Sequence, residues 1–303
     1  MALEKLCTGT IWAEGPVWID SAHTAGGGYL LWSDIPNNRM MRWSDAEGMS
    51  VWRERAEFTN GHTLDLNGDL LHCSHGHRAV MRTPLVDGVL QANTRDHLLV
   101  NQYLGKRLNS PNDLVVKRDG TIWFTDPSYG ILSNREGYKA EREQAGHFVY
   151  CFNPATRQLT ALTETVPLSI LEDPNGLAFS PDESILYVSD TSAARYTDGS
   201  GNHHITAFDV VQKAGCDALL SPRIFAVIEP GLPDGFRVDA KGLLYISSLD
   251  SVQVYSPSAE WLRKIPVPEK IGNLCFGGKD GRDMYIAAST SLYRYRMDDA
   301  FVR

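Results

Sequence analysis

Cysteine is scarce and scattered in this chain: Cys7, Cys73, Cys151, Cys216 and Cys275 are odd in number, far apart and never form a C-x-x-C pair. That spacing excludes a disulfide framework and a cysteine metal site, and marks the five as small core thiols in a reducing compartment. Nowhere do eighteen or more apolar residues run together. The start, Met1 to Trp12, lacks a basic segment followed by a long apolar one. Neither a membrane partner nor a secretion signal is therefore expected, and the location read from the sequence is cytoplasmic. Positive charge is also in short supply. The net charge is −8 and no Lys/Arg run occurs, which excludes nucleic acid as a partner and favours a small or cationic ligand. There is no Gly-x-Ser-x-Gly elbow, no HExxH and no Walker sequence, so serine-hydrolase, zincin and nucleotide-binding chemistries are unsupported. Long helical periodicity is missing as well. The most charged segment, residues 135–143, reads as a loop or short helical insertion between strands and as a candidate lid.

What is present is a repeat. With 43% hydrophobic and 22% charged residues, the 303-residue chain is an ordinary soluble sequence able to bury a sizeable core. Its clearest unit runs Asn175 Gly176 Leu177 Ala178 Phe179, turns through Ser180 Pro181 Asp182 Glu183, and returns as Ile185 Leu186 Tyr187 Val188 Ser189 Asp190. A Pro and Asp turn between short apolar runs is a hairpin signal. The same order recurs from Asn112 through Asp119 Gly120 to Thr125 Asp126, and from Asp234 through Asp239 to Ser247. Weaker copies begin at Glu14, Asn60 and Asn273, and third strands are expected over 39–43, 79–82, 147–152, 205–210, 252–255 and 292–295. Spacings of about 40 to 60 residues between heads are those of four-stranded propeller blades. The expected fold is all-β: a single six-bladed β-propeller domain over 1–303, with the segment 5–11 supplying the outer strand that closes the ring.

In such a ring the starts of the innermost strands converge at one mouth of the central channel. The heads are Glu14, Asn60, Asn112, Asn175, Asp234 and Asn273, all able to offer an oxygen. Turn chemistry explains an Asx side chain at any single head, but not an amide or carboxylate at the same register in all six. The set predicts an axial metal site for one divalent ion, Ca²⁺ first and Mg²⁺, Mn²⁺ or Zn²⁺ as alternatives, with Asn60 and Asn273 as channel lining.

Four motifs in order, Glu14 Gly15 Pro16 with Trp18, Ser110 Pro111 Asn112 Asp113, Asp173 Pro174 Asn175 Gly176 Leu177 and Leu232 Pro233 Asp234 Gly235, together with Phe276 Gly277 Gly278, resemble the gluconolactonase and regucalcin (senescence marker protein) family, in its long bacterial gluconolactonase-like branch. The resemblance covers nearly the whole chain. It implies metal ligands at Glu14, Asn175 and Asp234, with Asn112 as a further metal or substrate contact, and Asp234 as the catalytic base or nucleophile. It also implies hydrolysis of a small sugar lactone, the ion polarising the ester carbonyl. The sequence departs from the regucalcin pattern at Ser110, where that pattern has a substrate-gripping Arg; Arg107 and Lys106 are the nearby cations available in its place. His62, two residues past a head, and Tyr129, just after Asp126 Pro127, are further candidates for substrate contact, ahead of His75, His77, Trp123 and Tyr196. A phosphotriesterase-like hydrolase and a calcium- or ligand-binding propeller without turnover are the competing readings. Oligomeric state is not encoded in any motif.

Overall fold

Each repeat folds as one antiparallel sheet of four strands, and six such sheets surround the channel in the computed structural model, which describes residues 2–20 and 27–297. The first blade is Ala13–Asp20, Gly28–Asp34, Arg39–Ser44 and Gly48–Glu54; the second is Thr59–Leu64, Leu70–Ser74, Ala79–Thr83 and His97–Val100. The third (Leu114–Val116, Ile122–Thr125, Val149–Asn153, Gln158–Ala161) and the fourth (Pro174–Phe179, Ile185–Asp190, His204–Val211, Ala218–Val227) follow. The fifth is Phe236–Val238, Leu244–Ser247, Ser251–Tyr255 and Trp261–Pro266. First strands of successive blades touch one another in order, and the sixth meets the first.

The last blade takes Ile271–Gly277, Asp283–Ala288 and Ser291–Arg296 from the end of the chain and its outer strand, Leu3–Thr8, from the beginning. Leu3 pairs with Tyr295 and Thr8 with Ser291. Pairing the two ends removes the exposed edges that an open ring would present. The expected strand at 5–11 is thus present, shifted toward the N-terminus.

Turn chemistry sets the hairpins. Asp65, Asp119, Asp182 and Asp239 each accept the backbone N–H two residues on, at 2.8, 2.9, 3.1 and 2.9 Å. This Asx turn recurs between the first and second strands of four blades and fixes their register. Between blades the contacts are aromatic and aliphatic. Trp18 of the first blade stacks on Tyr285 of the sixth, with ring centroids 5.2 Å apart and 6° between planes. Such a pair contributes about 0.5–1.5 kcal/mol beyond area burial. All five cysteines are free thiols; four are buried and Cys7 is half-buried. Among the described residues, no helix is long and apolar enough to cross a membrane. The charged segment 135–143 is an irregular loop, and the short α-helix lies just before it, at Tyr129–Leu132.

Candidate functional site

The heads reach the mouth because the ladder breaks at them. In four blades the pairing of the first strand shifts register at Glu14/Val17, Thr59/His62, Pro174/Leu177 and Ile271/Asn273. A bulge of this kind releases residues from the ladder and re-aims their side chains. In the other two blades Asn112 and Asp234 stand just ahead of strands that start at Leu114 and Phe236. The glycine after a head permits the blades to close on the axis. A Cβ on Gly15, whose φ is +52°, would lie 2.2 Å from the Asn60 carbonyl oxygen, and one on Gly235 would lie 2.0 Å from Asn273 Cγ.

Glu14, Asn60, Asn112, Asn175 and Asp234 line a cavity of about 350 Å³ at this mouth, with His75, Tyr129, Trp12, Ile35 and Leu232 around them. The amides are chained: Asn60 Nδ2 donates to Asn112 Oδ1 at 2.6 Å, and Asn112 Nδ2 donates to Asn175 Oδ1 at 2.6 Å. Each acceptor oxygen keeps a second lone pair. Asn175 Nδ2 then donates to Thr191 Oγ1 at 3.3 Å, and the Tyr129 hydroxyl lies 2.5 Å from the same oxygen.

The carboxylates are electrostatically unfavourable as they stand. Burial pushes the Glu14 carboxyl well above the usual carboxylate range, and the neighbouring Asp234 and Asp113 charges add to the shift. Burial likewise pushes Asp234 up to about 7, offset in part by Lys270 and a hydrogen bond from Asn175. A cation would relieve both groups. Two carboxylates plus amide oxygens are a hard oxygen set, which fits a divalent ion of the Ca²⁺ or Mg²⁺ type. Among the described residues no three His, Cys, Asp or Glu side chains gather as a metal cluster, so an ion here depends on the amides as well as the acids.

Several expected residues sit elsewhere. His62 is buried behind the mouth, its Nδ1 2.6 Å from the Gly15 carbonyl oxygen, and it is not among the cavity residues. Burial pushes its pKa down to about 3, so the ring is neutral and Nδ1–H is the donor. The bulge at Thr59/His62 is the reason: an extra residue reverses the in–out alternation on which a count of two from Asn60 depends. His75 takes the place instead. Its Nδ1–H donates to the Glu136 carbonyl at 2.8 Å, its Nε2 faces Asn60 Nδ2 at 3.4 Å, and burial pushes its pKa down to about 4. Arg107 is on the outer surface, in the small hairpin Gln102–Tyr103 and Lys106–Arg107, with its guanidinium on the His77 carbonyl at 3.0 Å. The fully buried run Leu108, Asn109, Ser110 carries the chain inward and leaves Arg107 behind. Ser110 Oγ donates to the Pro127 carbonyl at 2.7 Å and accepts Gly130 N–H at 3.0 Å, so it fastens the Tyr129 helix. Asn273 lies beside Asp113, donating to it at 3.2 Å, and does not line the cavity.

Three groups of residues stand at or behind the mouth without having been expected there from the sequence. Asp113, adjacent to a head, is buried in the channel opposite Arg237 at 3.5 Å. Trp12, Arg135, Glu136 and Lys270 line the cavity from segments that precede strands or lie in the charged loop. Asp34, Asp126 and Asp190, each ending the second strand of its blade or directly following it, accept backbone N–H groups of Ile11, Asn109 and Asp173 at 2.8, 2.8 and 3.2 Å. The recurring Ser/Thr-Asp pair, at Ser33 Asp34, Thr125 Asp126 and Ser189 Asp190, was the available signal. Its hydroxyls donate to the carbonyls of Asn60, Asn175 and Asp234, each the head of the next blade, at 2.9, 2.6 and 2.7 Å.

A separate cavity of about 540 Å³ is lined by Ser128, Ile131, Leu132, His147, Arg142 and Arg195 among others. Ser128 Oγ lies 2.7 Å from His147 Nε2, and both His147 Nδ1 and Arg195 Nε meet Asp173. Guanidinium nitrogens of Arg142 and Arg195 lie 3.3 Å from that Nε2. The nitrogen is therefore shared with two cations, and the network braces Asp173, which precedes Pro174 and Asn175, rather than forming a serine triad.

Residues 12–290 match the family described as the SMP-30/gluconolactonase/LRE-like region. A gluconolactonase of Zymomonas mobilis is 32% identical over 97% of this chain and 81% of its own length. Among solved structures, a gluconolactonase of Xanthomonas campestris is 38% identical, with a TM-score of 0.83 over 97% of this chain and 88% of its own. A second, described as a putative gluconolactonase, is 32% identical, with a TM-score of 0.85 over 99% and 93%.

Proposed function

The chain belongs to the SMP-30/gluconolactonase/LRE-like family, and from that premise we propose that it is a lactonase, acting as one domain over 1–303, that opens the ring ester of a small sugar lactone at the axial cavity. The observation that carries this reading is the meeting of Glu14 and Asp234 with the amides of Asn112 and Asn175 on one open mouth. Similarity to gluconolactonases over nearly the whole chain supports the same reaction class.

Glu14, Asn112, Asn175 and Asp234 would hold one divalent ion, Ca²⁺ in the first place and Mg²⁺, Mn²⁺ or Zn²⁺ otherwise. When bound, the ion supplies Lewis acidity that polarises the ester carbonyl and stabilises the developing negative charge. The remaining work falls to the chain. Asp234 faces the cavity and promotes attack on the carbonyl carbon in one of two ways. As a base it takes a proton from the attacking water while the ring C–O bond breaks and the alkoxide is protonated. As a nucleophile it forms an anhydride that water then opens, returning the carboxylate. His75, held neutral, accepts hydrogen bonds at Nε2 from the amide side of the mouth. Trp12, Tyr129, Ile35 and Leu232 give the sugar ring apolar walls and limit access of water.

The test is the rate of acid release from a panel of aldonolactones, measured above spontaneous opening. Metal-loaded protein should open at least one of them faster than buffer. Tight cation binding with no turnover on any lactone would instead favour a binding propeller, and faster cleavage of a phosphotriester would favour the other hydrolase class.

A further inference from the structure

The regucalcin-type cation before the Asn112 head is replaced by Ser110, whose hydroxyl is consumed in fastening the Tyr129 helix. The cavity nevertheless contains two cations. Arg135 reaches it from the loop after that helix, and Lys270 from the segment just before the first strand of the sixth blade. The Lys270 ammonium lies 5.0 Å from the centre of the Trp12 ring, a face that holds a cation without neutralising it. Among the described residues neither the Arg135 guanidinium nor the Lys270 ammonium forms a hydrogen bond or ion pair; the bonds of both residues involve their backbones.

Charge balance points the same way. The cavity holds the acids Glu14, Glu136 and Asp234 against the bases Arg135 and Lys270. Asp113, deeper in the channel, is offset by Arg237 at 3.5 Å, and His75 is neutral. With a divalent ion on the floor the cavity would carry one net positive charge, and Arg135 and Lys270 act on Glu136 and Asp234 only through space, with no direct ion pair to either acid. A neutral sugar leaves that charge unanswered, whereas an anion on the substrate answers it at low cost because Arg135 is already exposed at the rim.

We propose that Arg135 and Lys270 select sugar lactones that carry an anionic group, a phosphate, sulfonate or carboxylate, on the end of the molecule away from the ring ester. This rests on the lactonase reading and names its substrate class. Arg135 offers a planar fork suited to three-oxygen anions and Lys270 a point charge. The lactone ring then sits against Trp12 and Tyr129, with its ester over Glu14 and Asp234.

The experiment compares kcat/KM of the metal-loaded wild-type protein on glucono-lactone and on the same lactone esterified with phosphate on its terminal carbon. The expected ratio favours the phosphorylated lactone by on the order of tenfold, falling as salt rises. In Arg135→Gln and Lys270→Met that ratio should fall toward one, chiefly through KM for the phosphorylated substrate, and Arg135→Lys should restore part of it. Thermal shifts with the two ring-opened acids supply a readout without turnover: the phosphorylated acid should stabilise the wild-type protein more, and the variants should lose that difference. A ratio at or below one in the wild-type protein, or variants that leave the ratio unchanged, would overturn the inference while leaving the lactonase intact. Failure to open either lactone, or any other, would instead remove the reading beneath it.

Discussion

The carboxylate of Asp190 accepts the backbone N–H of Asp173 at 3.2 Å, two residues before Asn175. It also accepts from the backbone of Glu172 and Ser192 and from Asn202 Nδ2, at 2.5, 2.9 and 2.8 Å. Asp34 and Asp126 hold the segments ahead of Glu14 and Asn112 in the same way. In these three blades the segment ahead of the head is thus tied through its backbone N–H groups to a buried acid at the end of the second strand of the same blade.

Replacing Asp190 by Ala leaves several buried donors unsatisfied. The expected loss is about 2–4 kcal/mol of stability, on the range for charge-assisted and orphaned buried hydrogen bonds. Denaturant unfolding checks the stability, and cation titration should show weaker binding, because Asn175 loses its anchor.

Glu14 and Asp234 make the metal-free protein sensitive to pH in a defined direction. Both carboxyls are raised in the folded state, Asp234 from 3.8 to about 7 and Glu14 well above 4.5, by burial first and by neighbouring acids. Over that interval the native state binds more protons than the unfolded chain, so stability falls as pH rises. The melting temperature of chelated protein should therefore drop between about pH 4 and pH 7, and saturating Ca²⁺ should flatten the curve. Glu14→Gln should raise the melting temperature of the chelated protein at neutral pH, since it removes one of two repelling acids.

His62 and Arg107 carry the opposite expectation from the cavity residues. His62→Asn should cost stability, through the lost bond to the Gly15 carbonyl, and leave the pH–rate profile unmoved. Arg107→Ala should change neither kcat nor KM beyond about twofold, as for a surface substitution away from the site. A steady-state pH series on both variants decides the point.

Asp234→Asn should lower kcat by on the order of a thousandfold, the scale of losing a base or nucleophile. The two roles separate in a single turnover in ¹⁸O-water: a nucleophile whose anhydride is opened at the Asp234 carbonyl takes the label into its own carboxylate and gives the product acid an unlabelled oxygen, whereas a base leaves the side chain unlabelled and puts the label in the product acid.

The repeat, the six blades and the cavity positions of Glu14, Asn112, Asn175, Asp234 and Tyr129 were legible because each depends on local order: a head, a turn and two apolar runs. Closure by Leu3–Thr8 was legible because the last blade lacked a strand. His62 was misplaced because a bulge is set by how the neighbouring blade packs and leaves no mark in a two-residue count. Arg107 failed because nearness in sequence is lost when three buried residues turn the chain inward. Trp12, Arg135 and Lys270 come from three distant segments, and only the closed ring brings them together.

The most direct test is lactone opening by chelated protein to which Ca²⁺, Mg²⁺, Mn²⁺ or Zn²⁺ is returned singly, with Glu14→Gln measured alongside. The account predicts that activity disappears on chelation, returns with at least one ion, and in the variant returns only at much higher ion concentration or not at all. Undiminished activity in fully chelated protein, or wild-type ion dependence in Glu14→Gln, would contradict it.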